Sequence, residues 1–175
     1  MTVLALILGA VAVIAGGGLV ARRRRAGSET ADGRVARVLV PFSGALDETV
    51  LRAAIRIARA ENAVLVAAYL LVVPLQFSED SPQRERVAVA LPLLEAVELA
   101  ASRAHVPVDA RIEKGRSATH ALRRLWEVEH FDRIVAPAGH ERNGSGFTAK
   151  ELSWILEHAP AETVVLRPSP AAAAA

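Results

Sequence analysis

The stretch that most limits what this chain can fold into is Arg37-Val38-Leu39-Val40-Pro41-Phe42-Ser43-Gly44. A basic residue leads into an apolar run that breaks at Pro, Ser and Gly. That is the pattern of a buried parallel strand ending in a turn before a helix. Beyond it, Asp47 can cap a helix. Val50, Leu51, Ala54, Ile55 and Ala58 share one helical face, and Arg52, Arg56 and Arg59 share another. Open α/β sheets bind ligands beyond the carboxyl ends of such strands, so residues 41–45 are the first place to look for chemistry.

The rest of the chain repeats this alternation. Ala63–Val73 is too bare of charge for an exposed strand and reads as a central one, ended by Pro74. Residues 76–80 read as loop. Ser81-Pro82 reads as a helix cap and first helical residue, opening a long helix to about Ala104 that Pro92 should kink. From Val87 to Ala101 that helix is apolar nearly all round. One sheet face requires a single apolar stripe, so Val89, Leu93 and Leu99 are surplus and could meet a partner chain. The bland alternative is an alanine-rich helix in an alanine-rich protein.

Val106, Val108, Ala110 and Ile112 then alternate with Pro107, Asp109, Arg111 and Glu113, which marks an edge strand with one wet face. Lys114-Gly115 turns the chain into a helix that buries Ala118, Ala121, Leu122 and Leu125. A short strand at 132–136 and a glycine-containing loop at 140–147 follow. Thr148 and Glu151 have capping-box spacing. They open a helix whose stripe is Leu152, Ile155, Leu156 and Ala159, and Thr163–Leu166 is the last strand. Alternating strands and helices predict an α/β fold with five parallel strands and helices on both faces.

The N-terminus is different in kind. Val3–Ala21 carries no charge and would span roughly 28 Å as a helix, close to a bilayer core of about 30 Å. Arg22–Arg25 follow at once. Positive charge after the apolar run is the reverse of a cleaved signal and holds that flank in the cytoplasm. The expectation is a single-pass helix in the inner or plasma membrane, N-terminus outside and domain in the cytoplasm. Ala5 and Gly9, and Ala12 and Gly16, have the spacing of helix–helix contacts, a spacing also common in spans that make none.

The parts are an anchor with its Arg-rich flank over 1–25, a linker over 26–35, a domain over 36–168 and a disordered proline and alanine tail over 169–175. The net charge of +2 depends on the flank: without its four arginines, 17 Lys and Arg face 19 Asp and Glu, or −2. The chain carries no nucleic-acid motif. It has no cysteine, which excludes disulfides and thiolate metal sites.

The five histidines (105, 120, 130, 140 and 158) show no metal-ligand spacing. No nucleophile elbow surrounds Ser43, and Asp47 with Glu48 read as helix N-terminal residues. No catalytic constellation is visible, and an enzyme is not expected. Trp154 lies off its helix stripe beside the last strand and is a candidate interface anchor, or else folds back over the sheet edge. Trp126 is expected to pack inside.

The strand Val38-Leu39-Val40-Pro41 with its turn and helix, the long helix before an edge strand, Asp132-Arg133-Ile134-Val135 and the closing Val164-Val165-Leu166 together resemble the universal stress protein family over about residues 35–168. The resemblance implies strand order 3-2-1-4-5 and homodimers that meet through the last strand, here Val164, Val165 and Leu166. Such domains also occur fused to transporters.

The ATP-binding branch of that family has an aspartate where this chain has Ser43. It also has Gly-x-x-Gly where this chain has Pro137 and His140, and Gly-Ser or Gly-Thr where it has Ala149 and Lys150. Gly139, Gly144 and Gly146 are near enough for a shifted loop to compensate in part. A degenerate nucleotide pocket is thus implied at Pro41, Ser43, Gly44, Pro137, Gly139, His140, Ala149 and Lys150. Thr148 and Glu151 can satisfy the helix N-terminus that a phosphate would use, and Glu151 adds negative charge there.

The expectation is a membrane-anchored, non-enzymatic module without a cofactor, acting as accessory or regulatory subunit of a transporter or membrane protein complex. The alternative is a tethered stress regulator that binds ATP or another adenine nucleotide.

Overall fold

The computed structural model describes residues 34–139 and 146–167. The expected membrane helix at 3–21, its arginine flank, most of the linker, His140 and the expected disordered tail lie outside the described residues. Among the described residues, no helix is long and apolar enough to cross a membrane.

Five strands and four helices alternate: β1 Arg37–Phe42, α1 Glu48–Ala60, β2 Val64–Val72, α2 Arg84–Arg103, β3 Val108–Gly115, α3 Ala118–Val128, β4 Arg133–Pro137, α4 Ala149–His158 and β5 Glu162–Leu166. All pairings are parallel, and the sheet order is β3-β2-β1-β4-β5, as expected. β2 is interior, between β1 and β3.

Strand alternation divides the core in two. Val38, Val40 and Phe42 of β1 point toward α1 and α2, while Leu39 points toward α3 and α4. α1 buries Val50, Leu51, Ala54, Ile55 and Ala58, with Arg52, Arg56 and Arg59 exposed, which is the stripe its spacing predicts. α3 likewise buries Ala118, Ala121, Leu122 and Leu125.

Three local expectations need correction. Helix α2 does not begin at Ser81-Pro82. Ser81 is spent in a turn, its hydroxyl donating to the Ser78 carbonyl at 2.6 Å, and Gln83 sits in the left-handed region at φ 44°, so the helix starts only at Arg84. Pro92, where a kink is expected, lies inside α2, which runs on to Arg103. It is exposed, as is Ala88, whose carbonyl it deprives of a helical donor, so water can supply the missing bond. In α4 only Ile155 is buried, and Leu156 is 60% exposed.

The expected wet face of β3 is half-buried instead. Asp109, Arg111 and Glu113 point to the α3 side and join an ion-pair cluster with Arg37 and Glu129. Arg111 holds Glu129 through two bonds of 2.6 and 2.8 Å, and Arg37 reaches Glu129 at 2.7 Å. Burial pushes the Glu113 carboxyl above its ordinary value, with the charge of Arg111 opposing.

Candidate functional site at the carboxyl ends of β1 and β4

Parallel crossovers run one way from β1 to β2 and β3 and the other way to β4 and β5, so the order reverses between β1 and β4. The structure opens a crevice there. β1 pairs with β2 across six positions, Arg37 to Phe42, but with β4 only at Val38 with Arg133 and Leu39 with Ile134. Beyond that point the two strands run on unpaired. Pro41 and Phe42 form one wall and Val135, Ala136 and Pro137 the other, and all five are buried. Phe42 packs edge-on against Tyr69, with ring centroids 5.5 Å apart.

The sequence-expected pocket residues sit on the connections leaving these walls. Ser43 and Gly44 follow β1, half-buried, with Gly44 at φ 77° turning the chain toward α1. Asp47 caps α1, accepting from the Thr49 amide at 2.7 Å. Pro137 ends β4 and Gly139 follows it. Ala149 and Lys150 are the first two residues of α4, both exposed. Lys150 makes no ion pair among the described residues.

Past β4 the chain returns on itself. Gly139 donates to the Phe147 carbonyl and Phe147 to the Pro137 carbonyl, each at 2.8 Å, while Phe147 is buried. Gly146, at φ 85°, lies so close that a β-carbon there would meet the Gly139 nitrogen at 2.7 Å. These two glycines serve backbone-to-backbone contact. α4 is closed by its own side chains: the Glu151 amide donates to the Thr148 hydroxyl at 3.3 Å, and the Thr148 amide donates to the Glu151 carboxylate at 2.8 Å. Both halves of the capping box are present, as its spacing predicts.

Two features were not foreseen. Arg116, just after β3, clamps the β2–α2 connection beside the crevice. Its guanidinium donates to the carbonyls of Val73, Pro74 and Phe77 and pairs with Glu79 at 3.0 Å, and Arg124 pairs with the same carboxylate at 3.0 Å. A lone arginine after a strand gives no sequence signal of four partners so far along the chain.

The second is the surroundings of Trp154. It is half-buried. Its indole stacks on Trp126, with centroids 5.4 Å apart and planes 4° apart, and on His158 at 4.8 Å, with the Arg123 guanidinium 5.5 Å from its ring centre. The contact is with the side chains of α3 and α4 rather than with the sheet edge. These residues, with Glu127 and Pro160, line a groove of about 210 Å³ between α3 and α4, away from the crevice. The spacing of Trp154 and His158, one helical turn apart, was the available hint.

Of the other expected interface residues, Val165 is 38% exposed and Val164 half-buried on β5, an edge strand. Leu166 packs against the α1/α2 side of the core, and its carbonyl accepts from the Ala138 amide at 2.8 Å. On α2, Val89 is 62% exposed, but Leu93 packs against the core and is no surplus. Among the described residues, no group of three or more His, Asp or Glu could hold a metal ion.

No family model matches the sequence, and no curated protein matches it. Solved structures do. A universal stress protein from Archaeoglobus fulgidus superposes with a TM-score of 0.57 at 15% identity, covering 77% of this chain and 96% of its own. The fold is that of the universal stress proteins. A universal stress protein solved in complex with cAMP gives 0.56 at 17% identity, over 77% of this chain and 98% of its own. A universal stress protein family protein from Arabidopsis thaliana, solved with AMP bound, gives 0.55 at 14% identity, over 78% and 94%.

Proposed function

We propose that this chain is a member of the universal stress protein family adapted as a non-enzymatic, membrane-anchored binding module. Residues 3–21 would hold it to the inner or plasma membrane, with the domain on the cytoplasmic side. Its partner would be a transporter or other membrane protein complex, for which it would act as an accessory or regulatory subunit. The observation that carries this reading is the closed N-terminus of α4, where Thr148 and Glu151 occupy each other's donors and acceptors at the mouth of the crevice. A phosphate would have to compete with the Thr148 side chain for the Glu151 amide, and the Glu151 carboxylate repels it.

The test is purification of the full chain in mild detergent from its native membrane. Recovery of a membrane protein in fixed ratio supports the module, and recovery of this chain alone counts against it.

A second reading has support from the neighbours, two of which were solved with cAMP or AMP. On that reading the crevice takes an adenine nucleotide and the chain is a tethered regulator. Thermal unfolding separates the two. A rise in Tm at micromolar ATP favours the regulator, and an unmoved Tm at millimolar ATP favours the module.

A further inference from the structure

We propose that a second copy of this chain docks antiparallel along the outer face of α2. The inner face of this helix is accounted for by Ala90, Leu94, Val97 and Ala101, all buried. The outer face carries Glu85, Val89, Pro92, Ala96, Leu99 and Arg103, all exposed. Val89 is 62% and Leu99 54% exposed, more than the fold itself explains.

The order of residues on this face selects the occupant. Glu85 and Arg103 are separated by about five whole turns, so they lie on one line down the helix. The acid is at one end and the base at the other, and neither has an ion-pair partner among the described residues. Two such faces laid antiparallel, with Leu94 level with Leu94, bring each Glu85 opposite the Arg103 of the other copy. In the same register Val89 comes level with Leu99 of the second copy, and Ala96 with its Pro92. An apolar Val89–Leu99 pair thus lies inside each charge pair, with Ala96 and Pro92 meeting nearer the centre.

The pattern is therefore complementary to itself under a two-fold axis, as an interface between identical subunits must be. Antiparallel helix dipoles add to the preference, and a parallel arrangement would set Glu85 against Glu85. The one other charge near the face, Glu95, sits on its flank and keeps contact with water. This docking does not use β5: α2 packs over β2 and β3, at the opposite side of the sheet.

The cysteine-free sequence makes the test direct. Ala96→Cys places a thiol near the two-fold axis, and Glu157→Cys places one on the exposed face of α4 as a control. The full chain, purified in mild detergent, is treated with a short bismaleimide. Docking predicts a cross-linked dimer for Ala96→Cys at least fivefold above the control. In that background Glu85→Arg and Arg103→Glu each set like charges together and should cut the yield at least fivefold. The two together restore the pairing and should return the yield to within twofold. A dimer yield at Ala96→Cys no greater than at Glu157→Cys overturns the proposal. So does a double variant that stays as low as either single one, since only the antiparallel register makes those two positions partners.

Discussion

The connections leaving β1 and β4 face each other across the crevice, and they solve the same problem differently. The first is a short turn, Ser43 to Asp47, with one left-handed glycine and a single capping carboxylate. On the second, Gly139 is fastened to Phe147 and Phe147 to Pro137, and a reciprocal box opens the helix. At each helix N-terminus at the mouth one first-turn amide is taken by a capping side chain, that of Thr49 by Asp47 and that of Glu151 by Thr148. The described ends of the β4 side, however, are also held by backbone contact between Pro137, Gly139 and Phe147. In a doubly wound sheet this is where a bound anion would otherwise supply the missing partners.

The largest effect expected from this contrast is at the two glycines. Gly146→Ala meets both a positive φ and a β-carbon overlap with the backbone of Gly139 and Pro137, none of which can yield cheaply. A loss of about 3 kcal/mol or more is expected in denaturant unfolding. Gly44→Ala faces the positive φ and should cost about 1 kcal/mol. Equal costs would show that the β4 loop is not the more tightly built of the two.

The caps come next. Asp47→Ala and Thr148→Ala should each destabilise by about 1 kcal/mol. The difference lies in coupling. Thr148 and Glu151 act on each other, so the double variant Thr148→Ala/Glu151→Ala should cost less than the sum of the single changes. Glu48 takes no comparable part in capping α1, and Asp47→Ala/Glu48→Ala should be additive. Additivity at both helices would reduce the box to two independent caps.

Much of this contrast was legible in the sequence, because it rests on local rules. The capping box follows from the spacing of Thr148 and Glu151, and the buried face of α1 follows from 3.6-residue periodicity. The strand order came from resemblance, since periodicity alone does not order a sheet. What stayed hidden depends on partners far along the chain. The half-burial of Asp109, Arg111 and Glu113 is set by Arg37 and Glu129, 72 positions from Asp109 and 18 from Arg111 respectively. The start of α2 moved because Ser81 found a turn carbonyl instead of a helix amide. The stack at Trp154 is hidden for the same reason: its own helix stripe says nothing of Trp126 on α3, whose indole it meets face to face.

The smallest expected effect is the one that bears most on function. Glu151→Gln keeps the capping geometry, because glutamine can accept the same bonds, and removes only the negative charge. Thr148→Ala/Glu151→Ala removes the charge and also frees the amides. If the filled donors exclude phosphate, Glu151→Gln should leave Tm unmoved by millimolar ATP, while the double variant gains about 2–4 °C, the shift produced by ligand at roughly ten times its Kd. A gain already present in Glu151→Gln would assign the exclusion to charge and make Lys150, exposed beside it, the residue that receives the phosphate. A gain in the unaltered chain would mean that the box opens for nucleotide on its own, and the two sides of the crevice would then differ in construction but not in purpose.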